Sequence, residues 1–156
     1  MKKVFILSMM VVIGVTSFAQ ADKTDARKAH FNLASKQTGI KGYDPVAYFT
    51  EGKAKEGKST FTATYQGINY CFESAANRDL FKANPSKYEP QYGGWCAYAM
   101  GNDGSKVEVD PETFKVTNGK LYLFYNKFFT NTKKSWDKDE AHLMKNADAN
   151  WGKTFK

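Results

Sequence analysis

Few residues in this chain have side chains suited to chemistry, and the clearest of them are sulfur donors. Cys96 stands in the segment "QYGGWCAYAM", four residues before Met100. If residues 95–100 form a short helix, Cys96 lies in its first turn, where free backbone N–H groups and the helix dipole favour a thiolate. Met100 then lies beside it, because residues four apart share a helix face. A thiolate beside a thioether is a soft donor pair that suits Cu(I).

Two other roles compete with metal binding. Free cysteine is often buried and methionine fills gaps in cores, so Cys96 and Met100 also fit a packing role. The chain has two cysteines, which make one pair, so a Cys71–Cys96 disulfide is the other alternative. Such a bridge would close a loop of about 25 residues and stabilise the fold by roughly 3 kcal/mol. The residues alone leave packing, a disulfide and metal or redox chemistry open.

The two histidines are weaker candidates for ligands. His142 lies off the apolar face of the last predicted helix, which favours solvent exposure, and His30 belongs to a polar N-terminal segment. The chain contains no His–Cys cluster with zinc spacing, no Gly-rich phosphate loop, no Gly-x-Ser-x-Gly elbow and no Cys-x-x-Cys pair. The sequence therefore offers no assembled hydrolytic or thiol-redox site, and we expect no enzymatic activity.

The N-terminus has the three regions of a secretory signal peptide. Two lysines precede an apolar run over residues 4–15, and small residues with the pattern Ala19-x-Ala21 follow. The run is too short to span a membrane comfortably, and cleavage after Ala19 or Ala21 fits the small-residue requirement. We therefore expect a periplasmic or secreted protein with no membrane span once residues 1–21 are removed.

The charge of the chain is basic but dispersed. It has 23 Lys and Arg against 16 Asp and Glu, a formal net charge of +7. The lysines occur singly or in pairs such as Lys133-Lys134 and form no basic run, and export argues against a nucleic-acid partner. We therefore expect a generally cationic surface and no binding of nucleic acid.

The remaining patterns predict an α+β fold, a small single domain with two β-hairpins forming an antiparallel sheet, short helices and a C-terminal helix. Apolar residues alternate on both sides of Gln66-Gly67, which indicates the first hairpin. The favoured turn Asn118-Gly119 indicates the second hairpin. Because side chains alternate along a strand, Cys71 should point away from the apolar face of its own strand.

The helices are predicted from caps and apolar stripes. Ser74 should cap a helix that stops at Pro85 and turns Ala76, Leu80 and Phe81 inward. Ser135 should cap a C-terminal helix. The inner face of that helix contains Trp136, Leu143, Ala147 and Trp151. Asp44-Pro45 favours a turn, and the polar residues 22–38 are predicted to form a leader helix or a loosely held arm.

Several segments together resemble the YHS-domain family, in its stand-alone exported branch. They are "KGYDPVAYF" (41–49), "YCFESAANRDLFKANPSKYEPQYGGWCAYAM" (70–100), "DPETFKVTNGKLYLFYN" (110–126) and "ADANW" (147–151). The resemblance covers nearly all of the chain from about residue 39, so residues 39–156 are expected to form the YHS-like domain. It implies a small α+β domain related to the TRASH-like metal-binding modules that occur beside heavy-metal transporters.

The chain departs from the metal-binding branch of that family. In those relatives cysteines follow the Asp-Pro-Val and occupy the strand-to-helix junction, whereas the corresponding positions here are Ala47, Glu73 and Asn77. A site of that kind cannot form, because alanine has no donor and the other two are oxygen ligands. The resemblance instead implies Cys96, in the Gly-Gly-aromatic-Cys-Ala segment, as the functional position. Cys71 matches no reliable family motif, which argues against an obligatory disulfide.

Two hypotheses about function follow. The first is an exported, non-enzymatic YHS-domain protein that binds a soft transition metal, most simply a copper ion, with Cys96 as the central ligand and Met100 as an auxiliary donor. His142, His30, Cys71 or a second chain in a homodimer would complete the coordination, and a metal transporter or another periplasmic protein would be the partner. The alternative is a structural, protein-interaction or small-ligand-binding module in which Cys96 is buried and unreactive.

Overall fold

The computed structural model describes residues 15–155 as an alternation of short helices and strands, and the predicted α+β class is confirmed. The prediction of a signal peptide rests mainly on residues outside this range. No helix within residues 15–155 is both long and apolar enough to cross a bilayer. The elements are α1 (Val15–His30), β1 (Leu33–Ala34), β2 (Thr38–Gly39), α2 (Ala47–Thr50), β3 (Lys58–Tyr65), β4 (Ile68–Phe72), α3 (Ala75–Ala83), α4 (Pro85–Tyr88), α5 (Ala97–Asn102), β5 (Asp110–Thr117), β6 (Lys120–Phe124), β7 (Asn126–Lys127), β8 (Thr130–Asn131), α6 (Thr132–Trp136) and α7 (Glu140–Lys153).

The first predicted hairpin is present as β3 and β4, within a four-stranded sheet of order β1-β2-β4-β3. The apolar residues Ile68, Tyr70 and Phe72 are fully buried and Cys71 is half-buried on the other face, as the alternation predicted. Strand β2 pairs in parallel with β4 and antiparallel with β1. Residues 22–38 therefore form more than a helix, because they also supply strands of this sheet.

The second predicted hairpin is present as β5 and β6, but it does not share a sheet with the first. Strands β5 and β6 form a two-stranded sheet of their own, and β7 and β8 form another. The outer edge of β6 is covered by the chain that precedes β5, through isolated parallel bridges from Pro90 to Leu121 and from Cys96 to Leu123. The edge at which the two hairpins would join is therefore occupied.

Strand β6 separates two groups of buried side chains. Leu121 and Leu123 point into the larger group, together with Cys96 and the buried residues of β4. Tyr122 and Phe124 point the opposite way, into a smaller group with Met100, Trp136, Leu143 and Ala147. Side chains alternate across a strand, so one strand can serve two cores when both of its faces are covered. The sequence pattern indicated only the first of these faces.

Helix α3 follows the prediction at its start and departs from it along its length. The Ser74 side chain accepts a hydrogen bond from the Asn77 N–H, which confirms the cap. Phe81 is buried against the rings of three neighbours on β3 and β4. Leu80 is 45% exposed and Ala76 is also exposed, so the prediction that both side chains turn inward beside Phe81 was wrong. The helix meets its hairpin along one narrow stripe only.

The C-terminal helix is divided in two, which corrects the prediction of a single helix capped by Ser135. The cap is Asn131, whose side chain accepts from the Lys133 N–H and begins α6. Trp136 is fully buried at the end of α6, and α7 starts separately at Glu140. The hairpin β7–β8 ends at Asn131, so the first of the two helices starts before Ser135.

Candidate functional site around Cys96

Cys96 is the residue immediately before α5 and does not lie inside its first turn. Its backbone angles, φ −58° and ψ 116°, are not helical, and its carbonyl accepts the Met100 N–H at 3.0 Å. Its own N–H donates to the Val107 carbonyl at 3.0 Å. These bonds fix Cys96 between the start of α5 and the edge of β6.

The sulfur of Cys96 is fully buried and is part of a closed set of hydrogen bonds. The Tyr125 N–H donates to Sγ at 3.4 Å, and Sγ lies 3.3 Å from Oγ1 of Thr132. The Thr132 hydroxyl donates to the Tyr125 carbonyl at 3.0 Å. A hydroxyl has one hydrogen, so the Cys96 thiol is the donor to Oγ1. We refer to Cys96, Tyr125 and Thr132 as the Cys96 hydrogen-bond ring.

The Cys96 hydrogen-bond ring closes the base of the β7–β8 hairpin. Tyr125 stands just before that hairpin and Thr132 just after it, and the Thr132 N–H also donates to the Tyr125 carbonyl at 3.0 Å. The Cys96 sulfur, the Thr132 hydroxyl and the Tyr125 backbone N–H and carbonyl thus all have partners inside the protein. Cys96 therefore has a structural role, because its sulfur connects the start of α5 to the residues on both sides of the β7–β8 hairpin.

Met100 is not a neighbour of the Cys96 sulfur, contrary to the prediction of a soft donor pair. Met100 is buried in the smaller group with Tyr122 and Trp136, whereas Cys96 is buried in the larger group on the other side of β6. The rule for residues four apart applies only when both are helical, and α5 begins at Ala97.

The other three predicted ligands lie at separate places on the protein. Nδ1 of His30 is 2.9 Å from Nζ of Lys106, and the exposed His142 has its Nδ1 3.1 Å from Oδ2 of Asp139. Cys71 lies half-buried on β4, where burial raises the pKa of its thiol. Both cysteines are free, so the disulfide alternative is not formed.

These residues do not fit a copper ion within one chain. The sulfur of Cys96 already has two hydrogen-bond partners, and Met100 belongs to the other buried group. Across residues 23–155 there is no cluster of three His, Cys, Asp or Glu side chains that could hold a metal ion. Further donors would have to come from outside residues 23–155, for example from a second chain.

A buried carboxylate that no sequence pattern indicated lies among Ala47, Glu73 and Asn77. Asp44 is fully buried. Its Oδ1 accepts the N–H groups of Val46 at 2.8 Å and Ala47 at 3.3 Å. Its Oδ2 accepts the Glu73 N–H at 2.9 Å and Nδ2 of Asn77 at 2.7 Å. The Asp-Pro turn was the only signal, and it did not indicate that a helix start and a strand end would meet there.

A shallow pocket of about 280 Å³ lies over the Cys96 hydrogen-bond ring. Tyr98, Val107 and Thr130 line it together with Cys96. Pockets that enclose drug-sized ligands usually measure about 300 Å³ or more, so this one suits at most a small molecule. A larger pocket, of about 690 Å³, opens beside α1 and His30.

Tyr122 carries a buried hydroxyl with no hydrogen-bond partner within residues 23–155. Burial, followed by the charges of Asp148 and Glu140, raises its pKa to about 12. Tyr122→Phe is expected to raise the free energy of unfolding by about 1 kcal/mol, because it removes an unsatisfied polar group. Tyr92 is the matched control, since its hydroxyl donates to Asp148 at 3.0 Å. Tyr92→Phe should therefore be destabilising. Urea titrations of both variants measure the two effects, and an equal loss of stability in both would contradict the expectation.

Glu89 is enclosed by Arg27 and Tyr70. Its Oε1 accepts hydrogen bonds from the Arg27 guanidinium and, at 2.6 Å, from the Tyr70 hydroxyl. Burial raises the pKa of Glu89 above its ordinary value of 4.5, and this outweighs the lowering effect of the two hydrogen bonds. Burial likewise raises the pKa of Tyr70 well above its ordinary value. The folded protein therefore holds a proton on Glu89 more tightly than the unfolded chain does.

This raised pKa predicts the sign of a pH dependence. The stabilising contribution of Glu89 is fully present below its unfolded pKa and is lost as the pH rises through the folded pKa. The stability of the natural chain relative to Glu89→Gln should therefore be greatest in acid and should shrink as the pH rises above 4.5. Urea titrations of both proteins at a series of pH values measure this difference, and a difference that grows with pH would refute it.

The site therefore consists of a structural thiol under a small pocket, with the other predicted ligands elsewhere. Comparison of the chain with protein-family models, with curated proteins and with solved structures finds no match.

Proposed function

We propose that this chain is an exported, non-enzymatic interaction module of the YHS type in which Cys96 is a structural thiol. The observation that supports this most directly is the Cys96 hydrogen-bond ring, in which a fully buried sulfur has both of its partners inside the protein. A cysteine that serves as a metal ligand or nucleophile acts as an accessible thiolate. The function then resides in a surface that meets a partner.

The environment of Asp44 supports the same proposal. The positions that match metal-binding cysteines in the resembling family surround a carboxylate with four hydrogen bonds. Four donors satisfy the lone pairs of that carboxylate from inside the protein. The junction between α2, β4 and α3 is thus held by protein groups alone, which suits a module without a metal.

Thiol alkylation followed by intact-mass measurement tests the role of Cys96. Cys71→Ser is used so that Cys96 is the single thiol. We expect no adduct in the folded protein and one adduct after unfolding in urea, because the sulfur is enclosed. A thiol that reacts rapidly in the folded protein would refute the proposal.

The copper hypothesis keeps one observation in its favour, which is that Cys96 lines the shallow pocket. A homodimer could bring further donors to that pocket. Titration with Cu(I) against a competing chelator separates the two functions. The proposal expects equal affinities for the natural chain and Cys96→Ser, whereas a loss of about tenfold or more, equivalent to about 1.4 kcal/mol, would favour copper.

A further inference from the structure

The tip of the β7–β8 hairpin exposes two adjacent aromatic side chains, Phe128 and Phe129, which we call the aromatic tip. These two residues are 86% and 113% exposed, so they are about as open to water as in an extended chain. The next most exposed large apolar residues, Phe155 and Leu80, are 46% and 45% exposed. The aromatic tip is therefore the most solvent-exposed large apolar feature among residues 23–155.

The backbone of the aromatic tip is also unfavourable for these residues. Phe128 and Phe129 have φ of 49° and 64°, in a two-residue turn between the paired Lys127 and Thr130. Two-residue hairpin turns of this kind favour Asn, Asp and Gly, whereas a bulky residue at positive φ is strained. The chain itself uses Asn118-Gly119, with φ of 51° and 69°, for the β5–β6 turn.

Folding does not explain why phenylalanine occupies both positions. Each side chain leaves its apolar surface in water, and each residue adopts a strained conformation. Strained residues of this kind concentrate at binding sites. The Cys96 hydrogen-bond ring holds the base of the same hairpin, so the aromatic tip is carried on a fixed support.

The sequence around the aromatic tip is cationic. Residues 126–138 contain four lysines, Lys127, Lys133, Lys134 and Lys138, against one acidic residue, Asp137. Asp137 is already bound by Lys133 and by Lys115 from β5. At the base of the hairpin, Asp110 accepts from Nδ2 of Asn126 at 3.4 Å. Lys127, Lys134 and Lys138 are exposed, so the apolar tip is followed by free positive charge.

We propose that the aromatic tip inserts into the headgroup region of an anionic lipid surface while the neighbouring lysines contact its phosphates. The proposal rests on the proposed function, because it names the partner of that interaction module. Aromatic side chains favour the interface between water and hydrocarbon, and basic residues beside an apolar element add attraction to anionic lipids. A lipid surface is fluid, so it can accommodate a protruding hairpin tip without a groove of matching shape. A second copy is disfavoured by like charge, since the chain carries a net +7.

The double variant Phe128→Asn, Phe129→Gly provides the test, because it gives the turn the residues that its backbone favours. Flotation with vesicles of equal parts phosphatidylglycerol and phosphatidylcholine measures binding. The variant should unfold at the same or a higher temperature, and its affinity should fall by at least about tenfold, since two phenylalanines lose their burial. Leu80→Asn is the matched control and should bind like the natural chain.

The variant Phe129→Trp reports, through its fluorescence, whether the aromatic tip itself contacts the lipid. Its added indole emission should shift to the blue with anionic vesicles and be quenched by brominated lipid, while vesicles of phosphatidylcholine alone should give a weaker effect. The apolar residues 4–15 are the same in every variant, so any binding that they contribute is common to all of them. Equal flotation of the double variant and the natural chain would overturn the proposal. So would a dimer that the double variant dissociates, or an indole that lipid does not quench.

The two proposals can fail separately. A reactive Cys96 in the alkylation experiment would refute the structural thiol and leave the flotation result unaffected. Equal flotation of the natural chain and the double variant would refute the lipid partner and would leave the proposal of a structural thiol unaffected.

Discussion

Replacing Asp44 by asparagine is expected to lower the free energy of unfolding by about 3 kcal/mol or more, because it breaks a buried, fully hydrogen-bonded charged group. Each carboxylate oxygen accepts two N–H groups, from Val46 and Ala47 on one side and from Glu73 and Asn77 on the other. An amide has one acceptor oxygen, so in either orientation its NH₂ group faces two donors. The start of α2 and the junction of β4 with α3 lose their common link.

Equilibrium unfolding in urea measures this loss, and Asn77→Ala provides the comparison. That variant removes one of the four hydrogen bonds and keeps the carboxylate, so it should cost only about 1 kcal/mol. If the two variants were equally stable, the carboxylate of Asp44 would contribute no more than one of its four hydrogen bonds, which would contradict the prediction.

Gly101→Ala is expected to destabilise the protein by about 3 kcal/mol, at the upper end of the usual cost of overpacking. A Cβ at Gly101 would stand 2.4 Å from the carbonyl oxygen and 3.0 Å from the carbonyl carbon of Leu143. These are backbone atoms of α7, so no side-chain rotation can make room. Helices α5 and α7 would have to separate, and the buried side chain of Leu143 would lose its contacts.

Gly152→Ala is the matched control for this prediction. Gly152 also lies in α7, but a Cβ there would meet nothing within 4 Å. Alanine is the better helix former, so this variant should gain about 0.5–1 kcal/mol. The same substitution should thus have opposite signs at two positions. Thermal or urea unfolding of both variants decides it, and a stabilised Gly101→Ala would show that the helices do not approach so closely.

The hairpins were predictable because their signals are local. The alternation around Gln66-Gly67 and Asn118-Gly119 fixes strand, turn and facing side chains within about ten residues, and each depends on backbone geometry alone. Ser74 was predictable for the same reason, since a cap acts within one turn of its helix.

The remaining architecture depends on contacts between distant parts of the chain. The parallel pairing of Thr38 with Asn69 brings together segments that no local pattern relates. The early start of α6 follows from the cap at Asn131, which belongs to a hairpin that no local pattern in the sequence indicated. Burial of the second face of β6 likewise requires Trp136 and Met100 to arrive from elsewhere.

The candidate site shows the same division between local and distant information. The sequence singled out Cys96, but the groups around its sulfur are Tyr125 and Thr132, which are 29 and 36 positions away. The Cys96 thiol has a hydrogen-bond acceptor inside the protein only because the fold places Thr132 beside it. Asp44 was read as a turn residue, because a single sequence gives no sign that Glu73 and Asn77 will donate to it.

Strand β6 determines how cooperatively the protein opens. Its side chains belong to both buried groups, so neither group can be exposed without disturbing the strand that completes the other. A partly unfolded state that kept one core intact would lose one wall of that core. The amide protons of residues 121–124 should therefore exchange with deuterated water only through global unfolding, and the two halves of the molecule should share a single transition.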